Sequence, residues 1–261
     1  MSEYALITGG SKGIGLELAK EFASKGFSVI ITARGAEALN EAAQGIKDKY
    51  GVTVEIIPCD LSQEKGADFL VSEIKKKNIT VHSLVNNAGI GLYGSFLELD
   101  DAAQNKMLHL NLVTLVRLTR LLLPDLVLKK GGVLNVASTA AFQPGPLMAV
   151  YYASKAFVLS FSEALHRELK ERGVTVTALC PGPTRSEFQN TGKIDNTRLL
   201  RSGLLRLMHP GEVAAAGFRA YMRGKRVEIP GFMNKAGAAV VRYAPRGVVL
   251  WFMLKLNEQR G

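Results

Sequence analysis

The stretch YALITGGSKGIG, residues 4–15, changes character halfway along. Residues 4–8 form a short apolar run that reads as a strand. From Ile14 onward the apolar positions recur four apart, at Leu18 and Phe22, which is one face of a helix. Gly9, Gly13 and Gly15 fall between the two, where the chain turns from strand into helix. Glycines at such a turn let backbone approach a pyrophosphate, and the helix start offers free N–H groups and a positive dipole end. A tight βα turn could need glycines for its own sake. The strand before and the helix after are the context that favours a dinucleotide.

Working outward, the alternation continues. Strands are expected at 28–33, 52–58, 82–87, 132–138, 174–180 and 226–230, with helices near 13–25, 36–49, 62–77, 101–128, 150–172 and 210–223. Near-continuous apolar strands separated by helices imply a parallel sheet covered on both faces. The expected fold is therefore α/β: a single-domain, doubly wound (Rossmann-type) parallel sheet of about seven strands with helices on both faces. Residues 1–230 would form the dinucleotide-binding and catalytic domain, and 231–261 an amphipathic C-terminal extension of it.

The second strand bears on the choice of dinucleotide. Its end usually carries an acid that bonds both ribose hydroxyls when the ligand is NAD. Here IITARG ends in Arg34 with no acid, and Lys12 lies inside the glycine turn. An arginine there suits a 2′-phosphate through paired charge-assisted bonds, so NADP(H) is preferred.

Composition narrows the partners. The chain has 261 residues and a net charge of +10, which favours anionic partners. No Lys/Arg block with interleaved aromatics argues for nucleic acid. Cys59 and Cys180 end apolar runs and read as buried thiols of a reducing compartment. Neither they nor His82, His109, His166 and His209 show metal-ligand spacing, so no metal is expected. MSEYALITGG has no basic-then-apolar leader, so a cytoplasmic protein is expected.

A second stretch carries chemistry. VYYASKAF, residues 150–157, holds Tyr151 and Tyr152, which are i,i+4 and i,i+3 to Lys155. Both pairs are helix neighbours, and such pairs are also common on helix surfaces. A lysine one turn away would stabilise a tyrosinate and lower the tyrosine pKa from about 10.

Together these motifs resemble the short-chain dehydrogenase/reductase family over about residues 4–230. TGGSKGIG is similar to its TGxxxGxG turn, implying cofactor contacts at Gly9, Ser11, Lys12, Gly13, Ile14 and Gly15, with Arg34 beyond. CDLS implies Asp60 and Leu61 beside the adenine; NNAG implies Asn87, Ala88 and Gly89 along the cofactor. CPGPTR implies Pro181, Gly182 and Thr184 at the nicotinamide, Thr184 bonding the carboxamide. The resemblance makes Asn111, Ser138, Tyr151 and Lys155 the catalytic four, and its YxxxK pattern selects Tyr151 over Tyr152. It implies reduction of a ketone or aldehyde to an alcohol, with NADPH giving hydride and Tyr151 the proton. Lys155 would also hold the nicotinamide ribose, Ser138 would bond the carbonyl oxygen, and Asn111 would hold a water behind Lys155. Each has a blander alternative: Ser138 as a cap, Asn111 as a structural hydrogen bonder. The family also implies a homodimer or homotetramer through the two long helices.

Two regions escape the alternation. Residues 183–209 are net positive and leucine-rich, as a lid over a lipophilic carbonyl with an anionic handle, such as an acyl thioester, would be; a solvated face with core leucines is the alternative. In the tail, 231–261, the apolar run VVLWFML (248–254) is too short to span a bilayer, and Arg242, Pro245 and Arg246 interrupt what precedes it. The tail would pack on the active-site mouth or a partner subunit, lie in a membrane interface, or complete the core. The rival functions are a non-catalytic NADP-binding sensor or scaffold, and a peripheral membrane reductase acting on lipids.

Overall fold

In the computed structural model, which describes residues 3–185 and 207–258, strand β1 (Tyr4–Thr8) lies between β2 (Ser28–Thr32) and β4 (Val81–Asn86), parallel to both. The remaining strands are β3 (Val54–Ile56), β5 (Gly132–Val136), β6 (Thr175–Leu179) and β7 (Val227–Glu228). They complete one parallel sheet in the order β3-β2-β1-β4-β5-β6-β7. The chain winds outward from β1 in one direction, returns to β4, and winds outward in the other. The crevice between the C-terminal ends of β1 and β4 is where ligands of such sheets sit.

Helices cover both faces. On one, α1 (Gly13–Ala23), α2 (Ala36–Tyr50) and α7 (Pro210–Met222) pack on the sheet around Phe22, whose ring meets Phe218 edge-on at 4.8 Å. On the other, α3 (Gly66–Lys76), α5 (Leu115–Lys129) and α6 (Ala149–Leu169) bury Leu70, Leu118, Leu122 and Leu169. Both β2 and β5 are buried along their whole length, the pattern of strands covered from both sides.

Several boundaries differ from expectation. The Asp60 carboxylate accepts hydrogen bonds from the Ser62 amide (3.0 Å) and hydroxyl (2.6 Å), and that turn delays α3 to Gly66. The long helix expected over 101–128 is α4 (Asp101–Leu108), a π-helical turn His109–Thr114, then α5. The helix expected to 172 tightens into a 3-10 turn, Lys170–Arg172, that ends at Gly173. The tail forms two helices, α8 (Phe232–Tyr243) and α9 (Arg246–Asn257), separated by Ala244 and Pro245. Most of the expected lid, 186–206, lies outside the described residues. Its two flanks are tied by a parallel bridge between Thr184 and Met208.

The β1–α1 turn needs glycine for two different reasons. Gly9 has φ +65°, a left-handed conformation that strains side-chain-bearing residues. A β-carbon on Gly15 would overlap the Gly9 carbonyl oxygen and press on the Asn87 side-chain amide. Gly45, on α2, has open space around it. Gly15→Ala should therefore destabilise the chain by roughly 3 kcal/mol. Gly45→Ala should stabilise it by about 0.5–1 kcal/mol. Urea midpoints of the two variants, measured side by side, check both signs.

Candidate active site

The ends of β1 and β4 are locked together by side chains. The Thr8 hydroxyl accepts the backbone N–H groups of Asn87 and Ala88, both at 3.0 Å, and donates to the Val85 carbonyl at 3.2 Å. Asn87 returns its side-chain amide to the carbonyls of Thr8 (2.9 Å) and Gly9 (3.2 Å). The glycine turn and the Asn87–Gly89 segment thus stand at a fixed separation. Sequence reading assigned no role to Thr8, although it opens the TGG element.

A cleft of about 1530 Å³ opens above this lock. One half is lined by Gly9, Ser11, Lys12, Gly13 and Ile14 from the turn, Arg34 beyond β2, Asp60 and Leu61 beyond β3, and Asn87, Ala88 and Gly89 beyond β4. Pro181, Gly182 and Thr184 line it from beyond β6, where the Thr184 hydroxyl donates to the Gly182 carbonyl at 2.9 Å. Lys12 and Arg34 are exposed at the rim. Burial works against the Asp60 carboxylate, but the hydrogen bonds of Ser62 and Gln63, with Lys106 3.9 Å away, hold its pKa below the ordinary value. Backbone N–H groups and two cations at one end form a donor set suited to dinucleotide phosphates. Gly15 does not line the cleft; it is buried beneath the turn.

The reactive cluster sits mid-cleft. Ser138 follows β5 and caps the 3-10 turn Thr139–Phe142, accepting the Ala140 N–H at 3.1 Å. The capping alternative for Ser138 is therefore real, and it aims the hydroxyl at Tyr151, to which it is hydrogen-bonded. Lys155 is buried, and its Nζ donates to the Val136 carbonyl at 2.9 Å, 5.9 Å from the Tyr151 ring centre. Burial lowers the Lys155 pKa to about 8, partly opposed by Cys180. The expected lowering of the Tyr151 pKa by Lys155 does not occur in this arrangement. Burial raises it well above the ordinary value, the Ser138 hydrogen bond opposes that rise, and the lysine is committed to a backbone carbonyl.

Asn111 lies in the π-helical turn, buried and off the cleft. Its side chain donates to the Ile90 carbonyl (2.9 Å) and the Ser154 hydroxyl (3.2 Å) and accepts from the Ile90 N–H (3.0 Å). A π turn inserts one extra residue and turns a side chain off the regular helical face, a device frequent at functional sites. A β-carbon on Gly89 would lie 3.2 Å from Asn111 Oδ1 and 3.6 Å from Lys155 Nζ, so glycine there leaves room between the two.

The other half of the cleft is apolar and owes much to the tail. Ile90, Leu92 and Met148 line one side; Val241, Ala244, Val249, Met253 and Leu256 of α8, α9 and their junction line the other. Tyr152 points toward this wall, packing on the Gly145 backbone and hydrogen-bonding Asn257. Asn257 in turn donates to the Pro146 carbonyl at 2.8 Å. Asn234 packs against Gly182. Sequence reading missed Asn234 and Asn257; the signal available was a lone buried-type amide on each amphipathic tail helix.

The chain matches the family model for short chain dehydrogenases over residues 3–196. Among curated relatives, it is 36% identical over 186 residues to the very-long-chain 3-oxoacyl-CoA reductase of Mus musculus; the match covers 69% of this chain and 59% of that protein. Among solved structures, a short-chain dehydrogenase from Sphingobium yanoikuyae in complex with NADPH superposes with TM-score 0.79 at 29% identity, covering 94% of this chain and 97% of the other. A bulky-bulky ketone specific alcohol dehydrogenase from Comamonas testosteroni gives TM-score 0.76 at 27% identity, with 94% and 95% covered. The family model covers well over half of the chain, and the chain belongs to the short-chain dehydrogenase family.

Proposed function

We propose that this chain is an NADP(H)-dependent oxidoreductase that reduces a lipophilic ketone or aldehyde, an acyl thioester being the leading candidate. The observation that carries the reading is the meeting of Ser138, Tyr151 and Lys155 between a phosphate-suited half-cleft and an apolar one. The NADPH complex of the Sphingobium relative supports the cofactor, and the name of the mouse relative supports a 3-oxoacyl thioester.

The cofactor, when bound, supplies a hydride to the carbonyl carbon. Gly9, Gly13, Asn87 and Gly89 would lie along it, with Arg34 and Lys12 at the 2′-phosphate and Asp60 and Leu61 at the adenine. The substrate oxygen takes the place between Ser138 and Tyr151, where both hydroxyls donate to it as negative charge builds. The raised Tyr151 pKa keeps its proton in place until that oxygen becomes alkoxide-like, a stronger base, and then Tyr151 gives the proton up. Lys155 offsets the tyrosinate charge that remains. A water between Asn111 and Lys155 returns a proton, while Asn111 also positions Ile90 in the cleft wall.

Four outcomes test this. Tyr151→Phe should reduce NADPH-dependent turnover of a lipophilic ketone by about 10³-fold or more while leaving NADPH binding intact. Tyr152→Phe should retain turnover and lose about 1 kcal/mol of stability with the Asn257 hydrogen bond. Equal damage from both substitutions would defeat the assignment. Arg34→Asp should weaken NADPH relative to NADH by about ten-fold or more, read as the ratio of kcat/KM values. Because Lys155 carries its proton only below about pH 8 in the free protein, kcat/KM for NADPH should fall as pH rises through that value. A profile flat to pH values near the ordinary lysine range, about 10, would remove Lys155 from the mechanism.

A further inference from the structure

The tail helices present two opposed surfaces. Inward, they wall the apolar half of the cleft. Outward, Phe232, Tyr243, Val248, Leu250, Trp251 and Leu254 stand in solvent, with Phe232 82%, Tyr243 84% and Trp251 63% exposed. Met233, Val240, Val248 and Phe252 belong to both surfaces: each lines the cleft and is exposed. The cleft therefore opens within the apolar patch. Isolated exposed apolar residues are ordinary, but this many on two successive helices, several of them also lining the cleft, mark a docking surface.

Charge identifies what docks. Lys235, Arg242, Arg246 and Lys255 flank the patch, and Glu258 is the lone acid on the described part of the tail. Arg242 and Arg246 have no acidic partner among the described residues, whereas Lys235 reaches Glu228 and Lys255 reaches Glu258. A second copy docking on the same face would bring these arginines against their own kind. An anionic lipid surface satisfies them, accepts the apolar side chains beneath its headgroups, and suits Trp251 and Tyr243 at the boundary. Each helix has 12 residues, about 18 Å, and no helix among the described residues is long and apolar enough to cross a membrane. Such helices lie in the interface plane.

We propose that α8 and α9 dock the chain on an anionic lipid surface with the cleft mouth facing the bilayer, so that a lipophilic carbonyl substrate enters from the membrane. The docking stands on the surface alone; only the substrate route rests on the oxidoreductase reading above.

The test is flotation of the full chain with vesicles of equal phosphatidylserine and phosphatidylcholine, and with phosphatidylcholine alone, alongside the emission of Trp251, the single tryptophan of the chain. The wild-type chain should float with the anionic vesicles and its emission should shift to the blue. Arg242→Glu/Arg246→Glu and Leu250→Glu/Trp251→Glu should each reduce bound protein by about ten-fold or more. Both variants should keep wild-type NADPH oxidation with a short water-soluble ketone, which reports an intact fold and site. Absence of flotation and blue shift for the wild-type chain overturns the proposal. So does equal flotation on neutral lipid with no effect of the arginine reversals, and so does a dimer in solution that Leu250→Glu/Trp251→Glu converts to monomer. Absence of NADPH oxidation in every protein, with that ketone and with a detergent-dispersed lipophilic ketone alike, refutes the oxidoreductase reading and leaves the vesicle result standing.

Discussion

A single hydroxyl, that of Thr8, takes hydrogen bonds from two successive backbone N–H groups across the gap where the sheet changes winding direction. At the C-terminal ends of parallel strands the ladder stops, and backbone donors there have no strand partner. The Thr8 hydroxyl satisfies two of these donors, and the Asn87 side-chain amide satisfies the carbonyls of Thr8 and Gly9, without closing the gap. The glycine turn then rests on Asn87, and the Asn87–Gly89 segment continues to Ile90, which Asn111 holds by both its N–H and its carbonyl. From Asn111 the connection passes through Ser154 to α6, which carries Tyr151 and Lys155. The phosphate end and the reactive end of the cleft are thus two ends of one hydrogen-bonded line.

Burial sets the character of the reactive end. It raises Tyr151 and lowers Lys155, so both groups are pushed toward their neutral forms. Tyr151 thus holds its proton, and Lys155 keeps its charge only below about pH 8, so the pocket suits negative charge that develops only while a substrate oxygen is being reduced. The anionic groups of a bound dinucleotide change that balance for Lys155.

The strand–turn–helix start, the seven-strand parallel sheet and most of the residues that line the phosphate-suited half of the cleft, though not the buried Gly15, were legible because their signals are local: apolar runs, glycine spacing and the charge at a strand end. What escaped was set by contacts distant in sequence or by small changes in helical winding. The π turn at His109–Thr114 has the same apolar periodicity as plain helix within a residue, so a continuous helix is the natural reading. The choice between Tyr151 and Tyr152 needed the family pattern; the geometry separates them by the Ser138 hydrogen bond on one and the Asn257 hydrogen bond on the other. The wall built by α8 and α9 depends on pairs such as Asn257 with Pro146, 111 residues apart, which no local pattern announces.

That separation also divides the cleft between two parts of the chain. The sheet and the phosphate turn draw on residues up to Glu228, and the last described helices dock on a loop completed long before them. The cleft is built from two stretches of chain: the glycine turn and the strand ends before residue 186, and an apolar wall contributed largely after residue 231. A change confined to α9 can alter the apolar wall without touching the glycine turn at the other end of the cleft.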